Sequence, residues 1–145
     1  MAFWEEKALS ELDEAEWESL CDGCARCCMI KLEDEDDGTV HYTGLVCDLL
    51  DVDRCRCTRY PERHQLVKDC IDFDADLAHT LSWLPVTCAY RRVAEGKGLL
   101  PWHPLISGSS ASVHEAQISV RGRVIPVHMV HEDEHQEHVV DWIET

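Results

Sequence analysis

The sequence predicts an α+β fold, a small domain of short helices and hairpins organised around a multi-cysteine metal site. Three observations predict it. Apolar residues recur at helical spacing in brief runs, and short extended runs flank acidic or glycine-bearing turns. The chain also holds nine cysteines, with four crowded into Cys21-Asp22-Gly23-Cys24-Ala25-Arg26-Cys27-Cys28. At 145 residues with 45% hydrophobic content, one domain spanning 1–145 is long enough to bury a core. No repeat, linker or shift in composition divides it.

Taken in order, Ser10-Glu11-Leu12-Asp13 has the form of a capping box, a hydroxyl followed three residues later by a carboxylate. The acidic run 11–18 then predicts a helix carrying Leu9, Leu12, Ala15 and Leu20 on one side and ending at Cys21. Gly23 suits a positive-φ turn between the first two thiols. Segments 29–33 and 39–42 predict a hairpin around an acidic tip, returning the chain toward Cys47. The tip lacks the spaced ligands and closing glutamate of a calcium loop, so it reads as solvated.

Between Cys47 and Cys70 periodicity is lost, as expected of a stretch ordered by cross-linking through metal. Asp74 predicts a helix cap, with Leu77, Leu81 and Leu84 inward and Pro85 as terminator. Thr87 predicts the cap of a helix reaching Glu95, with Gly96 beyond it and Cys88 in its first turn. Residues 102–108 read as an ordered loop. Runs 117–120 and 123–127 around Arg121-Gly122 predict a second hairpin, and 133–143 a last amphipathic helix within an acidic, His-rich segment at about 131–145.

The cysteines carry the chemistry. With Zn–S near 2.3 Å, sulfurs on one tetrahedral edge are roughly 3.8 Å apart, which Cys-x-x-Cys reaches readily. Adjacent Cys27 and Cys28 in extended backbone point apart and are not expected to share one ion. Candidate ligands are Cys21, Cys24, Cys27, Cys28, Cys47, Cys55, Cys57, Cys70 and Cys88. Spacing does not partition them between one multinuclear site and two smaller ones. The cofactor is an iron–sulfur cluster, a four-iron one among the options, or Zn2+. In the first case Trp17, Tyr60 and Trp83 would shield the cluster from water and the role would be redox, sensing or iron handling. In the second the metal folds a structural or interaction module.

A formal charge of −16 excludes nucleic acid and anionic membrane surfaces as partners and suits a basic protein. The start of the chain has no signal-like apolar run, and no segment is long enough to span a membrane. Nine thiols, an odd number, argue against a closed disulfide framework and for a cytoplasmic setting. His131-Glu132-Asp133-Glu134-His135 matches His-Glu-x-x-His, but in an acidic stretch with His138 beside it and without a burying apolar face, so it reads as incidental. No catalytic constellation is supported.

The run Cys21–Cys28, followed by Cys47 and by Cys57-x-x-Tyr60-x-x-Arg63, resembles the bacterial zinc- or iron-chelating cysteine-cluster family of the YkgJ type. Trp17-Glu18-Ser19-Leu20-Cys21-Asp22-Gly23-Cys24, Trp83-Leu84-Pro85-x-Thr87-Cys88-Ala89-Tyr90-Arg91 and Trp102-His103-Pro104-Leu105 are similar to its YcgN branch. The resemblance implies a small cytoplasmic metal-binding protein. Arg63 is followed by His64 where that pattern has proline, and Cys70 comes several residues later. His64 reads as solvent-exposed rather than as a nitrogen ligand.

Overall fold

The computed structural model describes residues 2–67, 70 and 74–145. In chain order the elements begin with α1 (Phe3–Glu6), a 3-10 turn (Leu9–Glu11), α2 (Glu14–Leu20) and a 3-10 turn (Arg26–Cys28). Four strands follow: β1 (Met29–Glu33), β2 (Val40–Val46), β3 (Leu50–Asp51) and β4 (Arg56–Cys57). Then come a 3-10 turn (Tyr60–Glu62), α3 (Arg63–Leu66), α4 (Ala75–Thr80), α5 (Ala89–Ala94), α6 (Pro104–Ser107) and α7 (Ser112–Glu115). The chain closes with β5 (Ile125–Pro126) and 3-10 turns at Val127–Met129 and Glu132–His138. The class is α+β. The chain divides into two compact units, one taking the chain through Cys24, the run from 74 to Ile118 and Glu144–Thr145, the other 25–67, Cys70 and Ser119–Ile143.

The first unit is helical. Its α2 is capped by Asp13, whose carboxylate accepts the Glu16 N–H at 2.8 Å while Glu16 accepts the Asp13 N–H at 3.0 Å. The box therefore lies one register beyond Ser10. Glu11 serves the preceding 3-10 turn instead, accepting the Ala8 N–H at 2.7 Å. The core joins Leu9, Leu20, Ala78 and Ala89, with Trp4, Leu12, Trp17, Tyr90 and Val93 packed against it. Trp17 lies 4.6 Å from the Tyr90 ring, and the Tyr90 hydroxyl donates to the Trp17 carbonyl at 2.7 Å. Trp17 is thus a core side chain.

Asp74 caps α4 as expected, accepting the Leu77 N–H at 2.9 Å, but the helix stops at Thr80 and buries Ala78. In α5, Cys88 occupies the N-cap rather than the first turn, and Gly96 ends the helix at φ 76°. The expected loop at 102–108 contains α6, and His103 caps it by accepting the Leu105 N–H at 3.0 Å on Nδ1. That leaves Nε2 as the donor to the Leu20 carbonyl at 2.7 Å, fixing the tautomer of a side chain only 2% exposed.

The second unit is built on the predicted hairpin. Strands β1 and β2 pair antiparallel with Leu32 opposite His41 and Met29 opposite Val46, and the ladder is irregular between Met29 and Lys31. Gly38 turns the tip at φ 74°. Asp34 and Asp37 accept the Asp36 and Thr39 N–H groups, so these tip carboxylates are spent on their own backbone. Strand β2 runs on to Val46 and buries Tyr42, Leu45 and Val46 beside Met29, Leu50 and Val120.

Three expectations are corrected here. Residues 121–122 do turn, with Arg123 N–H donating to Val120 O at 3.0 Å, but no hairpin forms. Ile125 and Pro126 instead pair in parallel with Leu45 and Val46 of β2, an edge position that tolerates a residue without an N–H. Residues 133–143 do not form an α-helix. Glu132–His138 is 3-10, then Val139 bridges Thr43 and Val140 N–H donates to Tyr42 O at 2.9 Å, so the sheet takes up the segment in extended form. The stretch after Cys47 is more regular than expected, since Leu50 pairs with Cys57 and Asp51 with Arg56.

Candidate metal centre

The open end of the hairpin gathers thiols. Cys27 and Cys28 close the 3-10 turn that enters β1, with the Cys28 N–H donating to Ala25 O at 3.0 Å. The antiparallel register then returns the chain so that the Cys47 N–H donates to Cys28 O at 3.0 Å. A turn after Cys47, with Leu50 N–H to Cys47 O at 3.0 Å, leads into β3, and β4 pairs back on it to bring Cys57 opposite Leu50. Cys70 donates its N–H to Val67 O at 3.2 Å, while its carbonyl takes a contact of 3.3 Å from Nδ1 of the exposed His64.

Electrostatics show which thiols share surroundings. The hydrogen bond with the Cys27 thiol pushes the Cys28 thiol far above its ordinary range; burial and the neighbouring Cys27, Cys47 and Cys70 push the same way. So the adjacent pair does not point apart. Their backbone is 3-10 rather than extended, and their sulfurs meet. Burial likewise raises Cys70, Arg63 opposes it, and Cys47, Cys27 and Cys57 add to it. Cys28 and Cys70 thus each feel Cys27 and Cys47, and Cys70 also feels Cys57, which groups five thiols around these two. Arg63 also lies 3.7 Å from the ring centroid of Tyr60, a side chain that is 43% exposed.

Cys55 stands apart from them. It sits at φ 58°, its thiol 3.8 Å from Val52 O, and it is raised chiefly by burial, with Ser119 and Arg121 opposing. Cys21, Cys24 and Cys88 belong to the helical unit. Cys21 is exposed at the end of α2, and Cys24 is buried with its N–H donated to Asp22 at 3.0 Å. Among the described residues no three Cys, His, Asp or Glu side chains stand in ready ligating geometry. The donor set itself, several sulfurs with one hydrogen-bonded to its neighbour, fits a thiophilic metal.

The His-Glu-x-x-His run lies on a 3-10 segment, where residues four apart do not share a face. His131 there caps its own turn, accepting the Asp133 N–H at 3.1 Å. Sequence reasoning missed a second histidine arrangement. Asp48, next to Cys47, accepts both the backbone N–H and Nδ1 of His128, at 3.0 and 2.6 Å. Eighty residues separate the two, and no local pattern announces their meeting.

Comparison with known proteins agrees with this concentration of sulfur. Residues 20–89, which contain all nine cysteines, match the CxxCxxCC family, described as "Putative zinc- or iron-chelating domain". A UPF0260 protein of Marinobacter nauticus is 50% identical over 97% of this chain and 95% of its own length. The chain belongs to the UPF0260 family. Another member, from Pseudomonas putida, is 51% identical over 95% of this chain and 93% of its own. A third, from Rhodopseudomonas palustris, is 52% identical over 97% and 83%. No solved structure matches. The family model supports metal binding by this chain, and no helix among the described residues is long and apolar enough to cross a membrane.

Proposed function

We propose that this UPF0260 chain holds iron as an iron–sulfur cluster on thiolates drawn from Cys27, Cys28, Cys47, Cys57 and Cys70. The observation that supports this reading most is the Cys28 thiol, hydrogen-bonded to Cys27 and pushed upward by Cys47 and Cys70. A four-thiolate ion and a four-cysteine cluster would each leave one of the five sulfurs over; the sulfur-only donor set and the Cys-x-x-Cys-x-x-Cys opening are what favour the cluster. Such a group supplies one-electron transfer. The chain's part is to bring the sulfurs together through the register of β1 with β2, to exclude water around Cys28, and to set positive charge beside the thiolates.

The reading takes the chain as one cytoplasmic domain in which nine thiols stay reduced. Its acidic surface, at a formal −16, suits a basic protein as partner. The test is elemental analysis with acid-labile sulfide on protein purified without oxygen. Iron and sulfide in near-equal amounts, with a visible absorption that bleaches on reduction, is the expected result. Colourless protein with integral zinc would replace the redox role by a structural one.

A further inference from the structure

Arg26 stands inside the cysteine motif, between Cys24 and Cys27, and opens the 3-10 turn that carries Cys27 and Cys28. An arginine is seldom buried, yet this one is only 5% exposed. Its guanidinium carbon lies 5.5 Å from the centroid of the Trp142 ring, within cation–π reach. Arg123 approaches the same ring at 4.8 Å. One indole thus meets two arginines, and one of them is the chain neighbour of a candidate ligand.

Trp142 arrives there on a strap. Val139 bridges Thr43 and the Val140 N–H donates to Tyr42 O at 2.9 Å, so the segment is pinned to β2 two residues before the ring. It passes over Gly44, where a Cβ would already lie 3.5 Å from Val140 Cγ1 and 3.6 Å from Arg123 O. That spacing admits a methyl group and little more. Strand β2 is also the one whose register returns Cys47 to Cys28. Strap, ring and cysteine turn are therefore fixed to one frame.

The turn needs holding. Ala25, directly before it, sits at φ 62° and ψ 14°, left-handed backbone that is unfavourable for any residue with a Cβ. Such a conformation persists where its surroundings over-determine it. The Cys28 N–H closes the turn from within by donating to Ala25 O at 3.0 Å, and the Trp142 ring meets it from outside at Arg26.

We propose that Trp142 is a positioning residue of the metal centre, clamping the cysteine turn through the Arg26 side chain so that Cys27 and Cys28 are presented together. The proposal rests on the metal-binding reading above. It adds a residue far along the chain, outside the 20–89 stretch that the family model matches.

The experiment makes Trp142→Tyr, Trp142→Phe and Trp142→Leu, each in the wild-type chain and together with Arg26→Met, and isolates every protein without oxygen. Iron and zinc retained against EDTA are measured, alongside the melting temperature of each metal-free protein. Retention should fall progressively from Tyr through Phe to Leu, reaching a loss of about tenfold for Trp142→Leu. Arg26→Met alone should fall to the level of Trp142→Leu, and in that background the Trp142 substitutions should add less than about twofold. Losses that simply add in the double variants overturn the proposal, because Trp142 would then act otherwise than through Arg26. So does an Arg26→Met variant that loses metal far beyond Trp142→Leu. Retention that follows the metal-free melting temperature across both backgrounds also overturns it, since general packing would then be at stake. Should Trp142→Leu fail to fold, the Tyr and Phe variants carry the same comparison. Retention at the wild-type level in every Trp142 variant ends the clamp and leaves metal binding intact, whereas wild type that carries neither iron nor zinc removes the metal-binding reading and this proposal with it.

Discussion

The helical unit and the hairpin unit bury their interiors with different materials. In the helical unit Leu9, Leu20, Ala78 and Ala89 meet under an aromatic layer that includes Trp17 and Tyr90, and carboxylates close the start of α2. In the hairpin unit Met29, Tyr42, Leu45 and Val46 are the buried side chains of the two strands. Toward the open end the hairpin's occupants change to Cys27, Cys28, Cys47, Cys57 and Cys70, brought near one another by backbone register, with each thiol opposing the ionisation of its neighbours. A buried neutral thiol packs as a small hydrophobe. It becomes a strong cross-link only when it loses its proton to metal. The contrast predicts that one unit keeps its order without metal and the other does not.

The largest effect should come from Cys28→Ser. It removes the sulfur that Cys27 hydrogen-bonds and that Cys47 and Cys70 surround. Bound metal should fall to near zero, and amide exchange should accelerate across 47–67 while α2 and α5 keep their protection. Elemental analysis with hydrogen exchange reads both. Undiminished metal would take Cys28 out of the site, and equal acceleration in α2 would dissolve the contrast.

Next in size is Asp13→Ala, aimed at the other unit. Loss of this N-cap costs about 1 kcal/mol, and reciprocal closure by Glu16 is lost with it. The melting temperature should drop while metal content stays at the wild-type level. A variant that sheds metal would mean that the order of the helical unit governs the thiols after all.

Cys55→Ser sharpens the comparison inside the hairpin unit. Cys55 and Cys57 are two residues apart, and on a regular strand they would share a face. At φ 58° Cys55 lies outside β4 and turns toward Ser119 and Arg121. Metal stoichiometry should be unchanged; a loss would return Cys55 to the ligand set.

Cys55 also marks what the sequence can and cannot convey. The cysteine motif, the Gly38 tip and the Asp74 cap were legible because each depends on residues within a few positions of one another. The α2 cap was misread by one box, because Ser10/Asp13 and Asp13/Glu16 both satisfy the local pattern and only the formed helix chooses. Strand β5 was legible only as an extended segment. Its partner, β2, lies some eighty residues earlier, and parallel pairing leaves no local signature. For the C-terminal histidines, spacing alone does not separate a 3-10 segment from an α-helix. The candidate site was legible as a composition, and the separate places of Cys28, Cys55 and Cys88 in the chain's two units were not.

The smallest effect is a pH dependence confined to the helical unit. Glu16 accepts from the Lys7 ammonium at 2.8 Å and from the Asp13 N–H at 3.0 Å. Lys7 first, then the Asp13 backbone, hold its carboxyl below the ordinary range, and the same contact raises Lys7. A carboxyl whose folded pKa is depressed contributes stability above its unfolded pKa, near 4.3. The contribution disappears as pH falls through the lower folded value. Wild type should therefore lose melting temperature slightly more steeply than Glu16→Gln on acidification below about pH 4.5. On metal-free protein the difference should be the same size, since Glu16 belongs to the unit predicted to keep its order without metal. If it appears only in the loaded protein, the two units are energetically one and the contrast between them fails.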